Sequence, residues 1–218
     1  MREERIGFFG GTFNPIHSGH VKAALEVQRI FGLDKILLIP SFIPPHKGSP
    51  DVASPSHRLK MVELAVAPYP RIFPSSIEIE AKGKSYSILT LAKLKKRHPD
   101  SLMFFIMGVD AFLEIDTWRD HEKVLEQCHF IIISRPGYSL EDAYKVMGRR
   151  YEERMVQIFD SIDLDELVRQ NHKIFLLPLP ALDIASKDIR KKVRRGESIA
   201  DLVPEPVGSY ILSNDLYQ

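Results

Sequence analysis

Cysteine is almost absent: Cys128 is the single one in 218 residues. With no second thiol there is no internal disulfide, which excludes a disulfide-stapled extracellular scaffold and suits a reducing compartment. Cys128 precedes the apolar run Phe130 to Ile133 and is expected to be a small buried side chain. Long apolar runs are missing as well. No stretch approaches the ~18 residues of a membrane span, and the charged start Met1 to Arg5 leads straight into the first apolar run, leaving no room for a signal peptide. The expectation is a soluble, cytoplasmic protein without a membrane partner. Excess charge is lacking too: 30 basic against 29 acidic residues leave a net charge of +1. That balance argues against a nucleic-acid backbone as the main partner, so any basic site must be local. The chain has no internal repeat, no low-complexity stretch, and no clustered His, Cys or carboxylate set at metal-ligand spacing.

What is present is an alternation of short apolar runs with helical patterns. Residues 6–9, 36–39, 102–107, 130–133 and 174–177 read as strands buried on both faces. Between them lie candidate helices over 20–31, 55–66, 87–97, 119–127, 139–158 and 186–195, with a last one at 204–213. Ser54-Pro55 marks a helix start, with serine as N-cap and proline at the first helical position. Residues 71–80 alternate late in the run, Ile77 and Ile79 against Glu78 and Glu80, which suggests an outer strand with one wet face. The pattern predicts an α/β, Rossmann-like doubly wound parallel sheet with flanking helices, forming a single domain over 1–218.

Ligands in such sheets bind beyond the carboxyl ends of the strands, and the suspicious segments here all follow strands. The first is Gly10-Gly11-Thr12-Phe13-Asn14-Pro15-Ile16-His17-Ser18-Gly19-His20. Adjacent glycines let an anion approach the backbone, and a helix N-terminus offers it unpaired N–H groups and partial positive charge. Spaced three apart around Gly19, His17 and His20 can meet the same phosphate. The other segments are Pro40 to Lys47, within a loop long enough to be a binding segment or lid, then Gly108-Val109-Asp110, Ser134 to Gly137, and Ala185 to Arg190. A bland reading exists for each: capping or packing for the histidines and Asp110, a solvated loop tip for His46 and Lys47, core packing for the lone Trp118, and a solvated face for the basic helix from Lys187 to Arg195.

The string G-G-T-F followed by H-x-G-H resembles the signature of the HxGH nucleotidyltransferases, and its longer form resembles bacterial nicotinate mononucleotide adenylyltransferases. Pro40-Ser41-Phe42-Ile43-Pro44-Pro45-His46-Lys47 is similar to that family's second signature. Ile184 to Arg190 is similar to its I-S-S-x-x-I-R motif, with Ala185 in place of the first serine and Lys187 in place of a hydroxyl residue. Gly83-Lys84-Ser85-Tyr86-Ser87-Ile88-Leu89-Thr90 resembles G-x-S-Y-T-x-D-T, with Ser87 and Leu89 as departures. The likeness spans nearly the whole chain and covers 138–171 least.

The resemblance implies transfer of the adenylyl group of ATP to nicotinate mononucleotide, a step of NAD biosynthesis. It implies His17 and His20 as the catalytic pair on the α and β phosphates. ATP and its phosphates would be held by Gly10, Gly11, Thr12, Phe13, Lys47, Gly108, Asp110, Ser186, Ile189 and Arg190. The pyridine nucleotide would be held by His46, Ser85, Tyr86, Trp118 and Arg135, with Trp118 stacking on the pyridine ring and Asp110 holding a ribose hydroxyl. Mg2+ is expected as the ATP complex, with no metal held by the protein alone. Cations from three loops, His17 with His20, Lys47 and Arg190, would offset the repulsion between two polyanionic substrates. Rival readings are a phosphopantetheine adenylyltransferase or cytidylyltransferase, an amide-preferring nicotinamide mononucleotide enzyme, and a nucleotide sensor without catalysis. A homo-oligomer is left open.

Overall fold

A computed structural model describes residues 3–43, 51–158, 163–180 and 183–218. Seven strands form one sheet: β1 (Arg5–Gly11), β2 (Lys35–Pro40), β3 (Ile72–Pro74), β4 (Leu102–Gly108), β5 (His129–Ile133), β6 (Met155–Gln157) and β7 (Ile174–Leu177). Every neighbouring pair is parallel, in the order β3-β2-β1-β4-β5-β7-β6. The order runs one way from β1 and the other way from β4, so the switch point lies between these two strands, beside Gly10 and Gly108. The predicted doubly wound α/β fold is the observed one.

Two-residue periodicity sorts the strand side chains into two core layers. Phe9, Phe104, Ile106, Ile131 and Phe175 pack on one face with α1 (Ser18–Phe31), α2 (Pro55–Val66), α9 (Ser186–Arg194) and α10 (Glu205–Ser213). Phe8, Phe105, Met107, Phe130 and Ile132 pack on the other with α4 (Ser87–Arg97), α5 (Val109–Phe112), α6 (His121–Leu125) and α7 (Asp142–Met147). Helix α1 buries Val21, Ala24, Val27 and Phe31, and ends where Gly32 turns left-handed at φ 57°. Helix α2 starts as its sequence predicts: Ser54 Oγ accepts the His57 N–H at 3.3 Å, with Pro55 following.

Two expectations are corrected. Only Ile72–Pro74 of the 71–80 run is strand, at the sheet edge as expected, whereas Ile77–Glu80 is a short helix, α3. The alternation of Ile and Glu misled because four residues make barely one helical turn, too few to tell a period of 2 from one of 3.6. The long helix expected over 139–158 breaks into α7, a 3-10 turn over Arg149–Arg154 and strand β6, which pairs with β7 and closes the far edge. Gly148 interrupts it with a positive φ of 61°, which a continuing helix cannot adopt. A further short helix, α8, covers Leu164–Leu167.

Candidate active site

Strand β1 delivers Gly10 and Gly11 to the carboxyl edge of the sheet, and the chain then turns into α1, for which His17 is the N-cap. A Cβ on Gly11 would lie 3.0 Å from the Phe13 ring, and one on Gly10 would lie 3.3 Å from Phe105. The turn is therefore narrow because side chains press on it from both core layers. Phe13 itself is buried at a positive φ of 47°, its ring edge-on to Phe9 at 5.9 Å and to His20 at 5.1 Å. It works as a wedge under His20, so what it can offer a phosphate is its backbone.

The rings of His17 and His20 lie 3.7 Å apart. His17 is 2% exposed, and neither ring nitrogen has a hydrogen-bond partner among the described residues. A buried polar group without a partner is costly, and such groups concentrate where a ligand will satisfy them. His20 Nδ1 accepts the His17 backbone N–H at 3.3 Å, which leaves the proton of the neutral ring on Nε2. Burial, helped by the nearby Arg135 guanidinium, pulls His17 down to about 3; burial and then His17 push His20 in the same direction. This corrects the expectation of two cationic histidines. In the free chain they are neutral donors.

Two clefts of about 440 Å³ each are lined by residues of this segment. One, on the α1 side, is lined by His17, His20, Ser134, Arg135, Pro136 and Ile184. The other is lined by Gly10, Gly11, Thr12, Ser85, Tyr86, Gly108, Thr117 and Trp118. Trp118 is half-buried: it packs against the core, edge-on to Phe105 at 6.4 Å, and also lines this second cleft. Asp110, in the first turn of α5, pairs with Arg135 Nε at 3.4 Å. A Cβ on Gly108 would collide with the Asp110 carboxylate, so glycine is what lets that carboxylate fold back over the strand end. Arg135, expected on the pyridine side, lines the α1-side cleft.

The C-terminal motif braces the turn. Ser186 Oγ donates to the Pro15 carbonyl at 2.9 Å and Arg190 Nη1 to the Asn14 carbonyl at 2.8 Å. Ile189 is wholly buried in the core, its N–H donates to the Ala185 carbonyl at 3.2 Å, and it lines neither cleft. Ala185, in place of the family's serine, is the N-cap of α9 and makes no side-chain cap bond. His46 and Lys47 lie outside the described residues.

Several contacts at the site carried no signal in the sequence, even where the residues fall within its motifs. Arg58, 1% exposed on α2, donates to the carbonyls of Ala53, Thr12 and Phe42 at 2.9, 2.8 and 3.0 Å. It ties the glycine turn to both flanks of the loop after β2. Asn14 Oδ1 accepts from the Ala53 N–H at 3.0 Å and from the Tyr217 hydroxyl at 2.8 Å, a contact across 203 residues. Ser85 Oγ accepts the Phe42 N–H at 2.9 Å, and Thr90 Oγ1 donates at 2.7 Å to Glu78, a second-cleft residue whose carboxyl burial pushes up. No spacing rule links such distant positions. Among the described residues no group of three or more His, Cys, Asp or Glu could hold a metal ion, and no helix is long and apolar enough to cross a membrane.

A glycine turn feeding a paired-histidine helix at the switch point of a parallel sheet defines a nucleotidyltransferase, and the family model described as cytidylyltransferase-like matches residues 8–192. The "Probable nicotinate-nucleotide adenylyltransferase" of Desulfatibacillum aliphaticivorans is 40% identical, over 98% of this chain and 99% of its own length. Its counterpart from Moorella thermoacetica is 39% identical, over 100% of this chain and 93% of its own. The chain belongs to the nicotinate-nucleotide adenylyltransferase family, within the cytidylyltransferase-like proteins. Its fold is that of the Plasmodium falciparum nicotinic acid mononucleotide adenylyltransferase complexed with NaAD, at a TM-score of 0.73, 21% identity and coverage of 98% and 97% of the two chains.

Proposed function

We propose that this protein transfers the adenylyl group of ATP to nicotinate mononucleotide, giving nicotinate adenine dinucleotide and pyrophosphate, in NAD biosynthesis. The observation that carries the reading is the buried, unpartnered His17 beside His20 at a helix start, both lining the α1-side cleft, while the glycine turn before them lines the other. ATP fits the cleft on the α1 side, and the pyridine nucleotide fits the one lined by Tyr86 and Trp118. An oxygen of the 5'-phosphate attacks the α-phosphorus of ATP, a new P–O bond forms, and the bond to the β-phosphate bridge oxygen breaks with its electron pair leaving on pyrophosphate. An ionised phosphate needs no general base, so catalysis rests on alignment and on charge stabilisation of the transferring group.

In that scheme His20 Nε2–H donates to the α-phosphate oxygens and His17 to the phosphates beside it. Neutral donors can enter a buried site without the desolvation cost of two cations, and the arriving anions then favour their protonation. Gly10, Gly11 and the backbone of Phe13 supply close approach, Thr12 a hydroxyl, and Asp110 a ribose contact. Ser186 and Arg190 hold the turn in the free chain and exchange those bonds for phosphate oxygens in the complex. His46 and Lys47 act on phosphates from the loop after β2, and Arg135 reaches from the first cleft to the pyridine nucleotide. Mg2+ accompanies ATP; the donors facing the phosphates are imidazole and cationic, which suits phosphate oxygens, so the ion's ligands would be substrate oxygens and water. Balanced net charge and a reducing-compartment cysteine count support a cytoplasmic enzyme of small metabolites.

Pyrophosphate release measured with ATP, Mg2+ and either nicotinate or nicotinamide mononucleotide tests the reading. Turnover with the acid in clear excess over the amide is the expected result. Activity with neither, but with a phosphopantetheine acceptor, overturns it.

A further inference from the structure

Asn14 stands between the glycine turn and His17 and gathers bonds from three distant segments. Its carbonyl accepts Arg190 Nη1 at 2.8 Å, and its Nδ2 donates to the Asp51 carbonyl at 2.9 Å. Its Oδ1 accepts the Ala53 N–H at 3.0 Å and the Tyr217 hydroxyl at 2.8 Å. Asn14 is buried, so water competes little for these bonds.

The two side chains that brace Asn14 differ in what else they can do. Arg190 holds the turn through Nη1 while its Nε is buried without a partner, so its donors are only partly used and can turn to an incoming phosphate. Tyr217 stays where it is. Burial pushes its phenol up, against the pull of the Arg190 and Arg58 guanidiniums, so the hydroxyl keeps its proton and donates. Leu216 beside it is seated in the core layer with Val207 and Ile211 of α10, and its N–H donates to the Ile211 carbonyl at 3.1 Å. The Tyr217 ring packs on that same layer, so its hydroxyl projects from a fixed base.

From this arrangement we infer that Tyr217 is a positioning residue for the transfer: its hydroxyl holds the Asn14 amide, and with it the turn that carries His17 and His20, while Arg190 exchanges the Asn14 carbonyl for an ATP phosphate. The inference rests on the adenylyl-transfer reading of the site. Once Arg190 has left, the Asn14 side chain keeps its bonds to residues 51–53, in the loop after β2, and its bond to Tyr217, anchored in the core with α10. In-line transfer tolerates little displacement of the groups that align the phosphates, so losing that anchor costs rate.

The test compares Y217F with the wild type by kcat and by KM for ATP and nicotinate mononucleotide with Mg2+, and by hydrogen–deuterium exchange over residues 12–20 with and without ATP. Y217F keeps the ring and leaves Asn14 Oδ1 with the Ala53 N–H, so no buried acceptor is orphaned and the fold is retained. The expected kcat is about three- to tenfold lower, the scale of one hydrogen bond, with both KM values within about twofold of the wild type. Exchange over 12–20 should rise more in the ATP complex than in the free protein. An unchanged kcat overturns the inference. A lower kcat with equal loosening in the free and ATP-bound protein also overturns it, showing that Tyr217 supports the fold alone. Wild-type inactivity with both substrates overturns the functional reading, and this inference with it.

Discussion

His17 and His20 reach their state through burial: two rings 3.7 Å apart, one hidden and without a partner, the other pinned through Nδ1. If His20 donates to the transferring phosphate, His20→Ala should cost on the order of 100- to 1000-fold in kcat, the scale seen when one preorganised oxyanion donor is deleted. ATP affinity measured by calorimetry should change much less; a variant with normal turnover would end the assignment. Arg58 has a different part. Its three bonds each satisfy a carbonyl, so Arg58→Met should lower unfolding free energy by about 3 kcal/mol or more in urea titrations. Retained stability would mean those carbonyls find other donors. The histidines were legible because they fall in one contiguous string. Arg58 and Tyr217, and the bonds Asn14 makes from within that string, were not, since these roles arise only when distant segments meet.

Among the elements, α9 carries a departure with a measurable consequence. With Ala185 as N-cap, its first turn lacks the side-chain acceptor that serine would give. Ala185→Ser should stabilise the protein by about 0.5–1 kcal/mol, read as a small rise in melting temperature. No rise would show that the turn's N–H groups are already served. The same helix is tied to the turn before α1 through Ser186 and Arg190. Helices with caps were legible, as at Ser54-Pro55. The Ile77–Glu80 helix and the β6 strand were not, because four-residue periodicity is ambiguous and because β6 owes its state to pairing with β7.

For the whole molecule, buried histidines set the response to acid. His17 is held down to about 3 and His129 to about 4, both chiefly by burial, and His20 is shifted the same way. The unfolded chain takes up these protons near pH 6.5 while the folded chain resists until far lower, so the unfolded state binds more protons in between. Their stabilising contribution is complete above pH 6.5 and is lost progressively as pH falls toward 3. Glu78, raised by burial, has the opposite slope, but it is one group against five histidines shifted down, His98 and His172 included. Urea midpoints measured from pH 8 to pH 4 should fall steadily below pH 6.5; a flat profile would contradict the burial argument. Cys128, buried and pushed up to about 12, should resist thiol reagents in the native protein and react on unfolding.

Transfer of label from ATP carrying 32P at the α-phosphate is the most direct test of the central claim, measured in a single turnover with nicotinate mononucleotide for the wild type and His20→Ala. The account predicts label passing straight into the dinucleotide, with none on the protein, and a rate lowered at least 100-fold in the variant. Label trapped on the protein, or equal rates in both, would contradict direct transfer at the paired histidines.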